Sequence, residues 1–174
     1  MSFYRRLRQP GATYFFTVTL AQRGDDALVR HVDILRHAFR TTAQEHPIYC
    51  NAMVVLPDHL HAVWTLPPED ADFSIRWRKM KARFTRWSGL TGPLSPSKSR
   101  KREVGLWQRR FWEHAIRDDA DYAAHIGYCL WNPVKHGLVA RAEDWPFSSI
   151  HRDRRAGLAF DPSARTEIET AGEV

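Results

Sequence analysis

LPDHLHAVWTLP, Leu56 to Pro67, lies between prolines, is short enough to be one strand, and carries two histidines one residue apart in an otherwise apolar run. Side chains alternate along a strand, so Leu60, Ala62, Trp64 and Leu66 share one side while His59, His61, Val63 and Thr65 share the other. The first set is a core face. The second brings two imidazoles close enough to ligate one cation, because neutral imidazole binds Mn, Fe, Co, Ni or Zn well. Taken alone, such a pair is better explained by two polar residues on a solvated strand face. The His-x-His-x-Asp-His start of many metallo-hydrolases is closed as a route, since Val63 and Trp64 stand where Asp and His would be needed.

Pro57 and Asp58 separate this strand from IYCNAMVVL, Ile48 to Leu56, with the residue chemistry of a tight hairpin turn. Upstream, ATYFFTVTL, Ala12 to Leu20, is aromatic and β-branched and reads as the first strand. DILRHAFRTTAQEHP between them predicts a helix with Asp33 as N-cap and a stop at Pro47. Downstream, Phe73, Trp77, Met80, Phe84 and Trp87 form one helical stripe, with Arg78, Lys79, Arg83 and Arg86 on other sides. A Gly/Pro/Ser- and Lys/Arg-rich loop, Ser88 to Gly105, leads to LWQRRFWEHAIR, which again has strand character. A last helix opens at Asp118 or Asp119 and runs to about Asn132, before Pro133 and Gly137. The order predicts an α+β domain: a ferredoxin-like βαββαβ antiparallel sheet with an additional C-terminal helix. It spans 1–150, leaving 151–174 as a partly ordered tail.

On the last helix Asp121, His125, Tyr128 and Asn132 share a face, opposite Ala123, Ile126, Gly127 and Leu130, so the apolar face is expected to dock and the polar face to do chemistry. Tyr128 and Asn132 are one turn apart. The chain carries 26 Lys and Arg against 20 Asp and Glu, and ten of those cations fall between Phe73 and Arg102 without a single acid. That local field favours a polyanionic partner. Cys50 and Cys129 form no paired spacing, and no segment approaches the roughly 20 apolar residues of a membrane span. A soluble, cytoplasmic protein is expected.

The blocks PDHLHAVWTLP, LWQRRFWEHAIRD, GYCLWNPVKHGLV and WPFSS, in this order from about Tyr14 to Ser149, resemble the single-tyrosine HUH transposases of the smallest bacterial insertion sequences. The closer similarity is to their domesticated relatives, the REP-associated tyrosine transposases. In HUH, the hydrophobic member is Leu60 here. The resemblance implies His59, His61 and Asn132 as metal ligands, with Asn132 where mobile enzymes often carry Gln, and Tyr128 as the nucleophile. It implies cleavage and rejoining of single-stranded DNA at REP-type hairpins with Mg²⁺ or Mn²⁺, through a 5′-phosphotyrosine, by a monomer rather than a homodimer. His125, one turn before Tyr128, is an accessory candidate. Arg5, Arg6, Arg8, Arg78, Lys79, Arg83, Arg86, Arg100, Lys101 and Arg102 are the expected DNA contacts. Two other readings compete: a ferredoxin-like nucleic-acid-binding module stacking bases on strand aromatics such as Phe16, and a metal hydrolase in which water attacks.

Overall fold

A computed structural model describes residues 8–158 apart from 95, 97–99 and 101–103. The expected DNA contacts Arg5, Arg6, Lys101 and Arg102, and the tail beyond 158, lie outside the described residues. Strands β1 (Thr13–Thr19), β2 (Tyr49–Val55), β3 (His59–Thr65) and β4 (Trp112–Ala115) form one sheet in the order β2-β3-β1-β4, every neighbour antiparallel. Helices α1 (Ala27–Arg30) and α2 (Val32–Glu45) connect β1 to β2, and α3 (Phe73–Ser88) connects β3 to β4. This is the split βαβ arrangement that the element order predicts. The β2–β3 turn is tight: the Leu56 amide donates to the His59 carbonyl at 2.8 Å, spanning Pro57 and Asp58.

Alternation along β1 and β3 sends side chains to two different layers. Tyr14, Phe16 and Val18, with Leu60, Ala62 and Trp64, face α2 and α3 and form the larger core. Trp64 stacks on Trp77 of α3 with ring centroids 4.0 Å apart. Phe15 and Val63 face α4 (Asp119–Lys135), packing with Tyr128, Cys129 and Leu130 in a second core. Both faces of the sheet are therefore covered. Phe16 is fully buried, so it offers no surface for base stacking.

Three details differ from the sequence reading. Helix α2 starts at Val32, with the extra turn α1 before it, so Asp33 sits inside the first turn instead of capping it. Helix α4 does not stop at Asn132 but runs through Pro133 to Lys135. Proline is tolerated there because only one bond of the final turn is lost, and the end is closed by Leu138 N donating to Pro133 O (2.9 Å) and Gly137 N to Val134 O (2.9 Å). Gly137 has φ +66°, the left-handed conformation this closure requires. The third difference is how α4 is covered: Asp121, His125, Tyr128 and Asn132 are buried against the sheet, and of the expected apolar face Gly127 and Leu130 are buried too while Ala123 is exposed. Beyond a short 3-10 turn, α5 (Ile150–Arg155) docks on β2, where Arg152 donates to the carbonyls of Cys50 (2.8 Å) and Asn51 (2.7 Å). Among the described residues no helix is long and apolar enough to cross a membrane.

Candidate active site

The site begins at the hairpin turn. Asp58 is held by the Gly24 amide (2.7 Å) and Arg23 Nε (3.1 Å), and its other carboxylate oxygen lies 2.7 Å from His59 Nδ1. A carboxylate only accepts, so Nδ1 of neutral His59 carries the proton and Nε2 presents its lone pair. That Nε2 is buried with no hydrogen-bond partner among the described residues. Burial, reinforced by the neighbouring His61, pushes His59 down to about 4, against the upward pull of Asp58. The ring is therefore neutral at physiological pH, as ligation requires. His61 is fixed in the same manner on β1, its Nδ1 2.9 Å from Thr17 Oγ1. The two imidazole centroids are 5.1 Å apart.

Helix α4 closes over this pair. Asp118 caps it, accepting from the Asp121 amide at 2.8 Å. Along the buried stripe the Tyr128 ring meets His61 edge-on at 5.4 Å, and just past the helix end the ring of the exposed His136 meets His59 at 5.1 Å. Asn132 lies midway on that stripe and is fully buried. All of these residues come from one chain, so Tyr128 reaches the histidine pair without a second copy. Lys135 donates to the Tyr128 hydroxyl oxygen at 3.0 Å.

His125 is not on the open surface. It is buried beneath Phe15 (5.0 Å between centroids), and its Nδ1 donates to the Asp121 carbonyl at 2.8 Å. His114 hydrogen-bonds to Asp121 Oδ2 at 2.9 Å and stacks on His125 at 4.5 Å. Donor atoms of His114, Asp121 and His125 lie within 4.8 Å of one another, a spacing consistent with a divalent cation. The Asp121 carboxylate also accepts from Arg117 N and Nε, both at 3.0 Å, so a guanidinium already supplies positive charge there. His114 and Arg117 hold Asp121 well below the usual carboxylate range in spite of its burial. The cluster pins the first half of α4 to β4 and thereby sets the position of Tyr128.

The basic helix divides into two populations. Lys79 (2.6 Å) and Arg83 form ion pairs with Glu45 of α2, and Arg83 also donates to Thr42 Oγ1 at 2.8 Å, so these two side chains link α3 to α2. Arg78 and Arg86 are exposed and border an open groove of about 980 Å³ between α3 and residues 104–111. Trp77, Trp107 and Phe111 line it, together with two cations the sequence reading missed, Lys81 and Arg109. Arg8 sits at the start of α3, donating to Ser74 Oγ at 3.3 Å, and Arg100 is exposed. Asp58, Thr17, Lys135 and His136 were also missed. Asp58 adjoins the pair in sequence, and Lys135 and His136 continue the Tyr128–Asn132 stripe once the helix passes Pro133.

A solved REP-associated tyrosine transposase, determined with a REP hairpin, superposes on this fold with a TM-score of 0.82 at 44% identity, covering 98% of this chain and 100% of that one. An Escherichia coli K12 REP-associated tyrosine transposase is 47% identical over 158 residues, 91% of this chain and 88% of the relative, and a Haemophilus influenzae relative of the same family name is 43% identical over the full length of both. No family model matches the chain. The chain belongs to the REP-associated tyrosine transposases.

Proposed function

We propose that the protein is a metal-dependent endonuclease and strand transferase that cleaves and rejoins single-stranded DNA at REP-type hairpins through a 5′-phosphotyrosine on Tyr128. The observation that carries this reading is the contact of Tyr128 with His61, with Asn132 on the same helix stripe and His136 just past the helix end against His59. The relative solved with a REP hairpin supplies the substrate class.

The donor set suits Mg²⁺ or Mn²⁺: two imidazoles, that of His59 neutral with its buried Nε2 lone pair unmatched among the described residues, and a buried carboxamide. His59, His61 and Asn132 would hold the cation, and its contribution when bound is Lewis-acid polarisation of the scissile phosphate. The protein's own residues do the rest. Asp58 and Thr17 fix the imidazole orientations, and the cluster around Asp121 fixes the height of α4, so the Tyr128 oxygen is presented at a set distance from the phosphate. Tyr128 attacks phosphorus in line, the Tyr Oη–P bond forms, and the P–O3′ bond breaks to leave a free 3′-OH. One phosphoester replaces another, so the strand can be rejoined without ATP. Arg78, Lys81, Arg86 and Arg109 around the groove neutralise backbone phosphates. Because Tyr128 and the histidines meet within one chain, a monomer suffices for cleavage.

Incubation with end-labelled hairpin DNA and Mn²⁺ tests this: a denaturant-resistant protein–DNA adduct with a free 3′-OH is expected, absent with chelator and absent in Tyr128→Phe. An adduct that persists in Tyr128→Phe overturns the assignment of the nucleophile, and free 5′ ends without adduct indicate attack by water.

A further inference from the structure

Lys135 occupies the last turn of α4, two turns beyond Tyr128, with its Nζ 3.0 Å from the phenolic oxygen and 4.7 Å from the ring centroid. Tyr128 is only 9% exposed, and the exposed Lys135 reaches its oxygen from the solvent side of the site. The nearby histidines are engaged elsewhere, His125 with Asp121 and His136 against the His59 ring. The helix C-terminus also favours a cation at this position.

We infer that Lys135 is a further catalytic residue, whose ammonium contact stabilises negative charge on the Tyr128 oxygen during both cleavage and rejoining. The inference rests on Tyr128 being the nucleophile. During cleavage the Tyr Oη–P bond forms and the P–O3′ bond breaks, and the proton lost by the phenol is matched by the one taken up by the departing 3′-oxygen. Lys135 stays protonated throughout. During rejoining a 3′-OH attacks the phosphotyrosine, the phenol is the leaving group, and the same ammonium stabilises the charge it carries off. A group that acts on the tyrosine oxygen accelerates both directions, whereas a lysine that merely grips DNA changes affinity.

The test uses the full chain with labelled hairpin DNA and Mn²⁺. Adduct formation is followed in a single turnover at saturating DNA, and hairpin affinity is measured separately by fluorescence anisotropy. Lys135→Met is expected to slow adduct formation on the order of 10²-fold, as loss of one donor to a developing oxyanion does. Rejoining of the isolated adduct with a 3′-OH strand slows in parallel, affinity is retained, and Lys135→Arg recovers most of the rate. Lys135→Gln carries the same expectation as Lys135→Met should the latter fail to fold by circular dichroism. Wild-type rates at saturation in these variants, or a loss confined to affinity, overturn the inference while leaving the Tyr128 assignment intact. Absence of any Tyr128-dependent adduct in the wild type removes both.

Discussion

The two faces of the sheet are built from the same strands by alternate residues, yet they are filled on opposite principles. Toward α2 and α3, β1 and β3 present Tyr14, Phe16, Val18, Leu60, Ala62 and Trp64, a continuous apolar and aromatic layer locked by the Trp64–Trp77 stack. Toward α4 the same strands present Thr17, His59 and His61 among Phe15 and Val63, and the helix answers with Asp121, His125, Tyr128 and Asn132. Burying polar groups is tolerable only when each is held, which is what Asp58, Thr17 and the Asp121 cluster do. The first face supplies stability that the second does not maximise. The second supplies fixed polar atoms, including a buried lone pair on His59.

Substitutions on the two faces should therefore separate activity from stability. The largest effect is expected from Tyr128→Phe, which should abolish the covalent DNA adduct while changing unfolding free energy by no more than about 1 kcal/mol, the scale of one hydrogen bond; denaturant titration beside the adduct assay measures both. Trp77→Ala does the reverse in kind, costing about 3–5 kcal/mol of stability through the cavity left against Trp64 and Phe16. It should lower the denaturation midpoint without altering the chemistry of molecules that remain folded.

An intermediate effect follows from His59. Its folded-state value, about 4, lies below the ordinary 6.5, so the unfolded chain binds the extra proton first. The metal-free protein should keep its full stability above pH 6.5 and lose up to roughly 3 kcal/mol as pH falls to about 4. His59→Asn should flatten that part of a plot of melting temperature against pH. The smallest effects belong to the groove: Arg78→Ala and Arg86→Ala should each reduce the salt dependence of hairpin binding by about one counterion, with stability unchanged. Lys79→Ala should move DNA affinity less than either, since its charge is already paired with Glu45.

The amino-acid sequence by itself determined the strand and helix order, the division of β3 into a core side and a histidine side, and the excess of positive charge on α3, because periodicity and composition are local properties. It misjudged the end of α4, since Pro133 is a strong local stop signal that a single missing bond in a final turn does not enforce. It also left the polar stripe of α4 facing outward: that stripe is buried, as is Leu130 of the apolar face, because the sheet it meets carries Thr17, His59 and His61, a fact held thirty or more residues away in the chain. The same distance hid the pairing of Lys79 and Arg83 with Glu45, and the contact between Lys135 and Tyr128 was hidden by the expected helix stop. Which polar groups face each other across a layer is decided by how the elements pack, and only the tertiary structure fixes that.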